Sequence, residues 1–195
     1  MVIGVAGKYS AGKDQVVKIV SELIDSDIID VDALGHQALD EKKEDLRDVF
    51  GSDVLGRDGK VDRKALGAKV FGNDDKLKKL ESIVHPVMRE KVRDYIAGNP
   101  GKTVVINAAL LFYMGLDSEC DIVIWVTAPY CTRIRRAKRR DNISTRDAVR
   151  RFRSQRKLKH KQIGTNTDIY TIRNNSSVEH LRKKVAEFLQ GKGFL

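Results

Sequence analysis

Apolar residues alternate along the chain between short continuous runs and longer stretches where they recur at helical spacing. The first run, residues 2–6, predicts a strand, and the apolar residues between 16 and 23 lie on one face of a helix. Later runs at 27–32, 103–108, 121–126 and 168–172 predict four more strands, and helical segments follow those at 27–32, 121–126 and 168–172. This alternation predicts an α/β protein built on a doubly wound parallel sheet.

The 195 residues are enough for one domain with its own core, so residues 1–195 are expected to form a single domain. Residues 34–97 are helical in pattern and highly charged, which predicts a helical insertion between strands of the sheet. Within it, His85-Pro86 is expected to interrupt a helix, because proline lacks a backbone N–H and disfavours helix at the preceding residue. Beside such a kink, His85 is either a buried hydrogen-bonding residue or a contact to a substrate.

The turn after the first strand has the spacing of a phosphate-binding loop, Gly7-Lys8-Tyr9-Ser10-Ala11-Gly12-Lys13. Gly7 and Gly12 have no Cβ, so backbone N–H groups there could approach a phosphate, and the following helix adds free N–H donors and a positive dipole end. Lys13 would add a charge on the outer phosphates. The alternative is a glycine-rich turn without a ligand, but the position between a strand and an amphipathic helix favours phosphate binding.

Asp14 stands where such loops usually have Ser or Thr, whose hydroxyl holds Mg²⁺. A carboxylate can also bind Mg²⁺, although its negative charge repels phosphates. Asp14 therefore either binds the ion directly or pairs with a neighbouring cation such as Lys8. The sequence leaves both alternatives open.

Two carboxylates, Asp30 and Asp32, end the second predicted strand, and alternation along a strand places them on the same side. Ligands of open α/β sheets bind at the carboxyl ends of the strands, so Asp32 is expected to face the phosphates held by Gly12 and Lys13. A carboxylate there can act as a general base. Asp32 could also be the N-cap of a helix that begins near Ala33.

The net charge of +10 is concentrated between residues 133 and 161, where fourteen lysines and arginines stand against two aspartates. This segment carries +12 and the remainder −2, which predicts a polyanionic partner, either nucleotide phosphates or nucleic acid. Few aromatic residues interleave the basic run to stack bases, so nucleotides are favoured and no nucleic acid is expected.

Two cysteines, Cys120 and Cys131, are too few for a disulfide or metal framework, and reduced cysteines fit a reducing compartment. Met1 leads directly into the first strand without the pattern of a signal peptide. No apolar run approaches the ~18 residues that a membrane span needs. We therefore expect a soluble, cytoplasmic protein without a membrane partner.

These landmarks together resemble the dephospho-CoA kinases, P-loop enzymes that phosphorylate the ribose 3′-hydroxyl of dephospho-CoA. The resemblance extends over nearly the whole chain and rests on the order and spacing of many short pieces. These are the loop at 7–13, Asp30-Val31-Asp32, Phe50-Gly51, Asp58-Gly59-Lys60-Val61-Asp62-Arg63 with Leu66, Val70-Phe71, His85-Pro86, Leu110-Leu111-Phe112 with Gly115-Leu116, Arg140-Asp141 with Ser144, Arg151 with Gln155, and Asp168 with Asn174.

The resemblance implies a three-layer P-loop kinase fold, with an acceptor-binding helical insertion at 34–97 and a basic helical lid at 136–161. It implies transfer of the γ-phosphate of ATP to dephospho-CoA, the last step of coenzyme A biosynthesis, with Mg²⁺ as cofactor and Asp14 as its candidate ligand. The catalytic residues that it implies are Asp32 as base, Lys13 and Arg140. ATP would be bound by Ser10, Ala11, Gly12, Lys13, Asp14, Gln15, Arg140 and Asn174, and the acceptor by Asp32, His85, Arg89, Leu110 and Leu111.

The chain departs from the family pattern at Asp14, at Asn107 where an acid is common, and at Ala109, Tyr113 and Arg173. Asp14 and Asn107 both bear on Mg²⁺, and we hypothesise that Asp14 supplies the charge missing at Asn107. Two alternatives share the loop, the acid and the lid: another nucleoside or nucleoside-monophosphate kinase, and a degenerate P-loop protein that binds nucleotide or RNA. The insertion with Asp58-Gly59 and His85-Pro86 resembles the dephospho-CoA kinases specifically and favours that family.

Overall fold

The structure, a computed structural model, describes residues 1–154 and 167–195. The chain divides into two compact units. One comprises Met1–Asp30 and Asn99–Leu195, and the other comprises Val31–Gly98. The first contains the sheet and the second is helical.

The strands are β1 (Val2–Gly7), β2 (Asp27–Asp30), β3 (Val104–Asn107), β4 (Ile122–Thr127) and β5 (Asp168–Arg173). They form a five-stranded parallel sheet in the order β2-β3-β1-β4-β5. All residues of β1 and β3 are buried, as expected for central strands of a parallel sheet covered on both faces. The predicted α/β class with a doubly wound parallel sheet is confirmed.

The helices of this unit are α1 (Lys13–Leu23), α6 (Tyr130–Asp141), α7 (Thr145–Ser154) and α8 (Val178–Gly191). The apolar face of α1, which includes Val16 and Val20, packs with Leu181 and Val185 of α8 over strand residues such as Ile124. This core fixes the start of α1 at the carboxyl end of the central strand β1, where the candidate phosphate loop lies.

The helical unit contains α2 (Val31–Glu41), α3 (Lys43–Phe50), α4 (Arg63–Val70) and α5 (Asp74–Gly98), with a short 3₁₀ turn at Ser52–Val54. Its separate core is formed by Leu46, Phe50, Val54, Val61, Leu66 and Val70. The predicted insertion at 34–97 falls inside this unit, and its acceptor-binding role stays a prediction.

Two local predictions were wrong. Strand β2 ends at Asp30 and α2 begins at Val31, so Asp32 lies in the first turn of a helix and is neither a strand residue nor an N-cap. The alternation argument for Asp30 and Asp32 therefore fails, because the backbone changes from strand to helix between them. A carboxylate in a first turn interacts favourably with the helix dipole, so Asp32 is compatible with this helix start.

The second error concerns Pro86, which lies inside the continuous helix α5 instead of ending a helix at His85. Proline removes one N–H donor and crowds the carbonyl four residues earlier, at Ser82. Ser82 is exposed, so water can hydrate that carbonyl, whereas Val84 and Met88 are buried on either side of the proline. The packing of the helical turns on both sides of Pro86 outweighs the tendency of proline to end a helix.

Cys120 is buried and Cys131 is exposed, and both are free thiols. Over the two described ranges, every helix is too short or too polar to cross a bilayer.

Candidate active site

The loop between β1 and α1 has the backbone of an anion-binding turn. Ser10 (φ 59°) and Gly12 (φ 92°) are both left-handed, and the Ala11 N–H donates to the Lys8 carbonyl at 2.9 Å. The Ser10 hydroxyl is buried without a hydrogen-bond partner among the described residues. Gly12 is the N-cap of α1 and provides no side-chain cap, so the first-turn N–H groups and the positive dipole end face the loop.

Side chains from distant parts of the unit hold the carbonyl groups of this loop. The Ala11 carbonyl accepts hydrogen bonds from Asn174 Nδ2 at 3.0 Å and from Arg136 Nη1 at 3.2 Å. Arg136 Nη2 also donates to Asn174 Oδ1 at 3.0 Å, and Arg133 Nε donates to the Tyr9 carbonyl at 2.9 Å. These donors fix the loop carbonyls on the side of α6, which favours the opposite orientation for the loop N–H groups.

Asn174 therefore has an observed structural role in addition to its predicted one. It follows β5, is 5% exposed, and donates its backbone N–H to the Thr127 carbonyl at 2.7 Å. Its side-chain amide binds the Ala11 carbonyl of the loop and the guanidinium of Arg136. The contact of Asn174 to ATP stays a prediction.

Lys13 lies at the start of α1 and reaches the end of the neighbouring strand β3. Its ammonium donates to Asn107 Oδ1 and to Asp14 Oδ1, the latter at 3.1 Å, and Asn107 Nδ2 lies 3.4 Å from Asp14 Oδ1. Asn107 ends the buried strand β3 and is 8% exposed. Lys13, Asp14 and Asn107 thus form one polar cluster, in which Asp14 forms an ion pair with Lys13.

The pKa of Asp14 lies below its ordinary value. Partial burial alone would raise it, but the charge of Lys13 and hydrogen bonds from Lys13 and Asn107 act in the other direction and prevail. The Asp14 carboxylate is therefore anionic at neutral pH. Gln15, the next residue, is half-buried in the same first turn.

Two arginines, one from α6 and one from α7, bind the same carboxylate as a tyrosine of the loop. Arg140 Nε and Arg151 Nη1 each donate to Asp141 at 2.8 Å, and the Tyr9 hydroxyl of the loop donates to the same carboxylate. These hydrogen bonds, first that of Arg140 and then that of Tyr9, lower the pKa of Asp141 to about 2. The predicted lid at 136–161 includes this cluster, while residues 155–161 lie outside the described residues.

Leu110 and Leu111 lie in the segment after β3, three and four residues beyond the end of the strand at Asn107. Leu111 is fully buried and packs near Gly4, whereas Leu110 is half-buried. A contact from Leu111 to an acceptor would therefore come from its backbone.

The other predicted acceptor residues lie in the helical unit. His85 and Arg89 are four residues apart on α5 and so share a face of that helix. His85 is half-buried, and burial lowers its pKa; Glu81 opposes this shift and Arg89 reinforces it. His85 is accordingly neutral at physiological pH.

Sequence reasoning missed the residues that hold the loop from outside, namely Arg133, Arg136 and Asp141, and the part that Tyr9 of the loop plays in the bond to Asp141. The basic run from 133 onward indicated arginines that serve phosphates, but fourteen cations in one segment do not distinguish those that face the loop from those that face solvent. Helical spacing from Arg133 to Arg136 and Arg140 was the available signal, because three- and four-residue steps place these side chains on one face.

Comparison with known proteins agrees with this geometry. The family model for dephospho-CoA kinase matches residues 1–180. A dephospho-CoA kinase of Borreliella burgdorferi is 34% identical over 98% of this chain and 94% of its own length. One from Fusobacterium nucleatum is 32% identical over 97% of both chains.

Solved structures show the same relationship. A protein from Thermus thermophilus superposes with a TM-score of 0.79 at 29% identity, covering 98% of this chain and 97% of that one. The dephospho-CoA kinase of Campylobacter jejuni gives 0.70 at 27% identity over 100% and 98% of the two chains. The deoxyadenosine kinase of M. mycoides, at 12% identity and 0.55, shares the fold alone. The family match extends from residue 1 to residue 180 and includes the phosphate-binding loop, so this chain belongs to the dephospho-CoA kinase family.

Proposed function

We propose that the protein transfers the γ-phosphate of ATP to the ribose 3′-hydroxyl of dephospho-CoA, the last step of coenzyme A biosynthesis. The observation that carries this proposal is the phosphate loop at the end of the central strand, with Lys13 pointing to Asn107 of the adjacent strand. Open α/β sheets bind ligands at this edge. Free thiols at both cysteines fit a reducing compartment such as the cytoplasm.

Phosphoryl transfer depends on positioning and charge neutralisation more than on covalent catalysis. In this proposal the N–H groups from Ser10 to Gln15 bind the phosphates of ATP, and Lys13 neutralises the charge on the outer phosphates. Arg140 would stabilise the charge that develops during transfer, because its planar guanidinium fits phosphate oxygens. The α6–α7 segment would also exclude water, which competes with the acceptor hydroxyl.

We assign Asp32 as the base that accepts the proton of the acceptor hydroxyl. Support comes from the chain path: Asp30, two residues earlier, is the register partner of Asn107, and Asn107 hydrogen-bonds Lys13. A short connection thus leads from the phosphate-binding cluster to the carboxylate. His85, Arg89 and Leu110 remain the candidates for contacts to the rest of dephospho-CoA.

The donor set next to Lys13 fits Mg²⁺. Mg²⁺ prefers oxygen ligands and is usually held by one or two carboxylates together with substrate phosphates. Asp14 provides an anionic oxygen and Asn107 an amide oxygen in the same cluster. Asp14 would hold the ion, which supplies neutralisation of phosphate charge when bound.

The decisive experiment measures ADP release with ATP and Mg²⁺ against a panel of acceptors: dephospho-CoA, adenosine, deoxyadenosine and AMP. We expect turnover with dephospho-CoA to exceed that with the others by at least about 100-fold. Preference for a nucleoside or for AMP would assign the protein to another kinase activity.

Asp32→Asn tests the base in the same assay. Loss of a general base costs about 10²–10⁴ in rate, so kcat should fall by at least about 100-fold while ATP binding persists. Asp30→Asn is the matched control, since it removes a neighbouring carboxylate to which this proposal assigns no chemical role. Equal losses in the two variants would remove the assignment of Asp32.

A further inference from the structure

We propose that Tyr9 is a positioning residue for nucleotide binding, because its hydroxyl joins the phosphate loop to Asp141 and thereby holds Arg140 and Arg151 beside that loop. The inference rests on the proposed nucleotide-binding role of the loop and adds a residue that sets the loop's charged surroundings.

Three donors converge on the carboxylate of Asp141. Arg140 belongs to α6, Arg151 to α7 and Tyr9 to the loop, and Arg151 Nη1 also donates to the Tyr9 hydroxyl at 2.9 Å. Asp141 is 19% exposed, whereas the side chains of Arg140 and Arg151 are 54% and 51% exposed. Both guanidiniums are therefore anchored at the carboxylate and still present charge to solvent.

The hydroxyl of Tyr9 is the part of this network that belongs to the loop. The Arg140 and Arg151 contacts to Asp141 lie within the α6–α7 segment and would persist without it. The bond from Tyr9 spans 132 residues of sequence and adds a tie beside Arg140 and Arg151 to the bonds by which Arg133 and Arg136 of α6 hold the loop. Removal of the hydroxyl would leave both arginines charged and paired but less restrained, so ATP binding would have to order them.

The ring of Tyr9 has a separable role. It packs edge-to-face on Phe152 of α7 with centroids 5.6 Å apart, and the guanidinium carbons of Arg140 and Arg151 lie 5.2 and 5.6 Å from its centroid. Phenylalanine at position 9 would keep the ring packing and the cation–π contacts while removing only the hydroxyl. Tyr9→Phe therefore isolates the interactions of the hydroxyl, which include the hydrogen bonds to Asp141 and Arg151.

The protein offers a matched control in Tyr130. Its ring packs on the same Phe152 with centroids 5.2 Å apart, and it is 52% exposed at the start of α6. Tyr130→Phe makes the same chemical change in the same aromatic cluster without removing a hydrogen bond to Asp141.

The test measures ATP affinity by isothermal titration calorimetry without an acceptor, followed by steady-state kinetics with dephospho-CoA. We expect Tyr9→Phe to raise the Kd and KM for ATP about tenfold and to leave the KM for dephospho-CoA within about twofold, with a melting temperature near that of the wild type. A tenfold change in Kd is of the order expected for the loss of one hydrogen bond to a charged group. Tyr130→Phe should match the wild type in every measurement.

A second variant, Asp141→Asn, keeps the test decisive if Tyr9→Phe folds poorly. Since both act through one contact, the double variant should lose less than the product of the two single losses. Wild-type ATP affinity in Tyr9→Phe, or equal loss in Tyr130→Phe, would overturn the proposal. If the wild type binds ATP but does not phosphorylate dephospho-CoA, the proposed acceptor is wrong, whereas weaker ATP binding in Tyr9→Phe still supports this inference.

Discussion

The side-chain amide of Asn174 fills the space that a β-carbon on Gly12 would need. Gly12 is also left-handed, with φ 92°, at the N-cap of α1. The amide of Asn174 can therefore approach the Ala11 carbonyl closely because the next residue has no side chain. The loop requires glycine at this position for two reasons, backbone conformation and close packing.

Gly12→Ala is accordingly expected to destabilise the protein and to weaken ATP binding. A left-handed non-glycine residue costs about 1–2 kcal/mol, and displacement of Asn174 would add to this by disturbing its bond to Arg136. Urea unfolding and ATP titration measure the two effects, and we expect a loss of about 2 kcal/mol or more and at least tenfold weaker binding.

Gly67→Ala is the control for this substitution. Gly67 lies inside α4, and a β-carbon there meets nothing within 4 Å. Alanine in a helix interior stabilises by about 0.5–1 kcal/mol relative to glycine. If Gly12→Ala behaved like Gly67→Ala, the close approach of Asn174 would not restrict the loop.

The cluster of Lys13, Asp14 and Asn107 predicts how the need for Mg²⁺ responds to substitution. Asp14→Ser removes the anionic oxygen, so the Mg²⁺ concentration for half-maximal activity should rise about fivefold or more. Binding of Mn²⁺ to the ADP complex, followed by electron paramagnetic resonance, should weaken in parallel. The double variant Asp14→Ser with Asn107→Asp restores one carboxylate to the cluster and should recover much of the affinity. An unchanged Mn²⁺ affinity in Asp14→Ser would exclude Asp14 as a ligand.

The sheet was predictable because its information is local. Continuous apolar runs such as residues 2–6 and 121–126 are typical of buried parallel strands, and glycines at 7 and 12 indicate the turn between strand and helix. The order β2-β3-β1-β4-β5 places that turn at the centre of the sheet. The local pattern placed Lys13 and Asp14 after this turn, and their chemical roles stay predictions.

Other features depend on contacts that no local pattern encodes. The hydrogen bond from Arg136 to the Ala11 carbonyl joins residues 125 positions apart, and that from Tyr9 to Asp141 joins residues 132 apart. The prediction of a helix break at Pro86 failed for a related reason, since burial of Val84 and Met88 decides the conformation there. Sequence reasoning located the loop but not the side chains that hold it.

The lowered pKa of His85 predicts a dependence of stability on pH. Burial disfavours the charged imidazole, so the unfolded chain binds a proton near pH 6.5 more readily than the folded protein does. Because the unfolded state then binds more protons, the free energy of unfolding should fall as the pH drops below about 6.5. Urea unfolding at pH 7.5 and pH 5.5 measures the change. His85→Gln should lose less stability over this interval, and an equal loss in both proteins would assign the pH dependence to other groups.

Asp62 belongs to the segment that carries the resemblance to the dephospho-CoA kinases, yet its contacts assign it to folding. It is the N-cap of α4, where its Oδ1 accepts the N–H groups of Lys64 at 2.9 Å and Ala65 at 3.0 Å. Loss of such a cap costs about 1 kcal/mol, whereas asparagine caps nearly as well as aspartate.

Asp62→Ala should therefore lower the free energy of unfolding by about 1 kcal/mol, and Asp62→Asn should change it by a few tenths of a kcal/mol at most. Both variants should keep wild-type kcat and KM for dephospho-CoA at a temperature well below unfolding, because the carboxylate binds backbone of its own helix. A raised KM for dephospho-CoA in Asp62→Asn, at unchanged stability, would instead show that the charge of Asp62 contacts the acceptor.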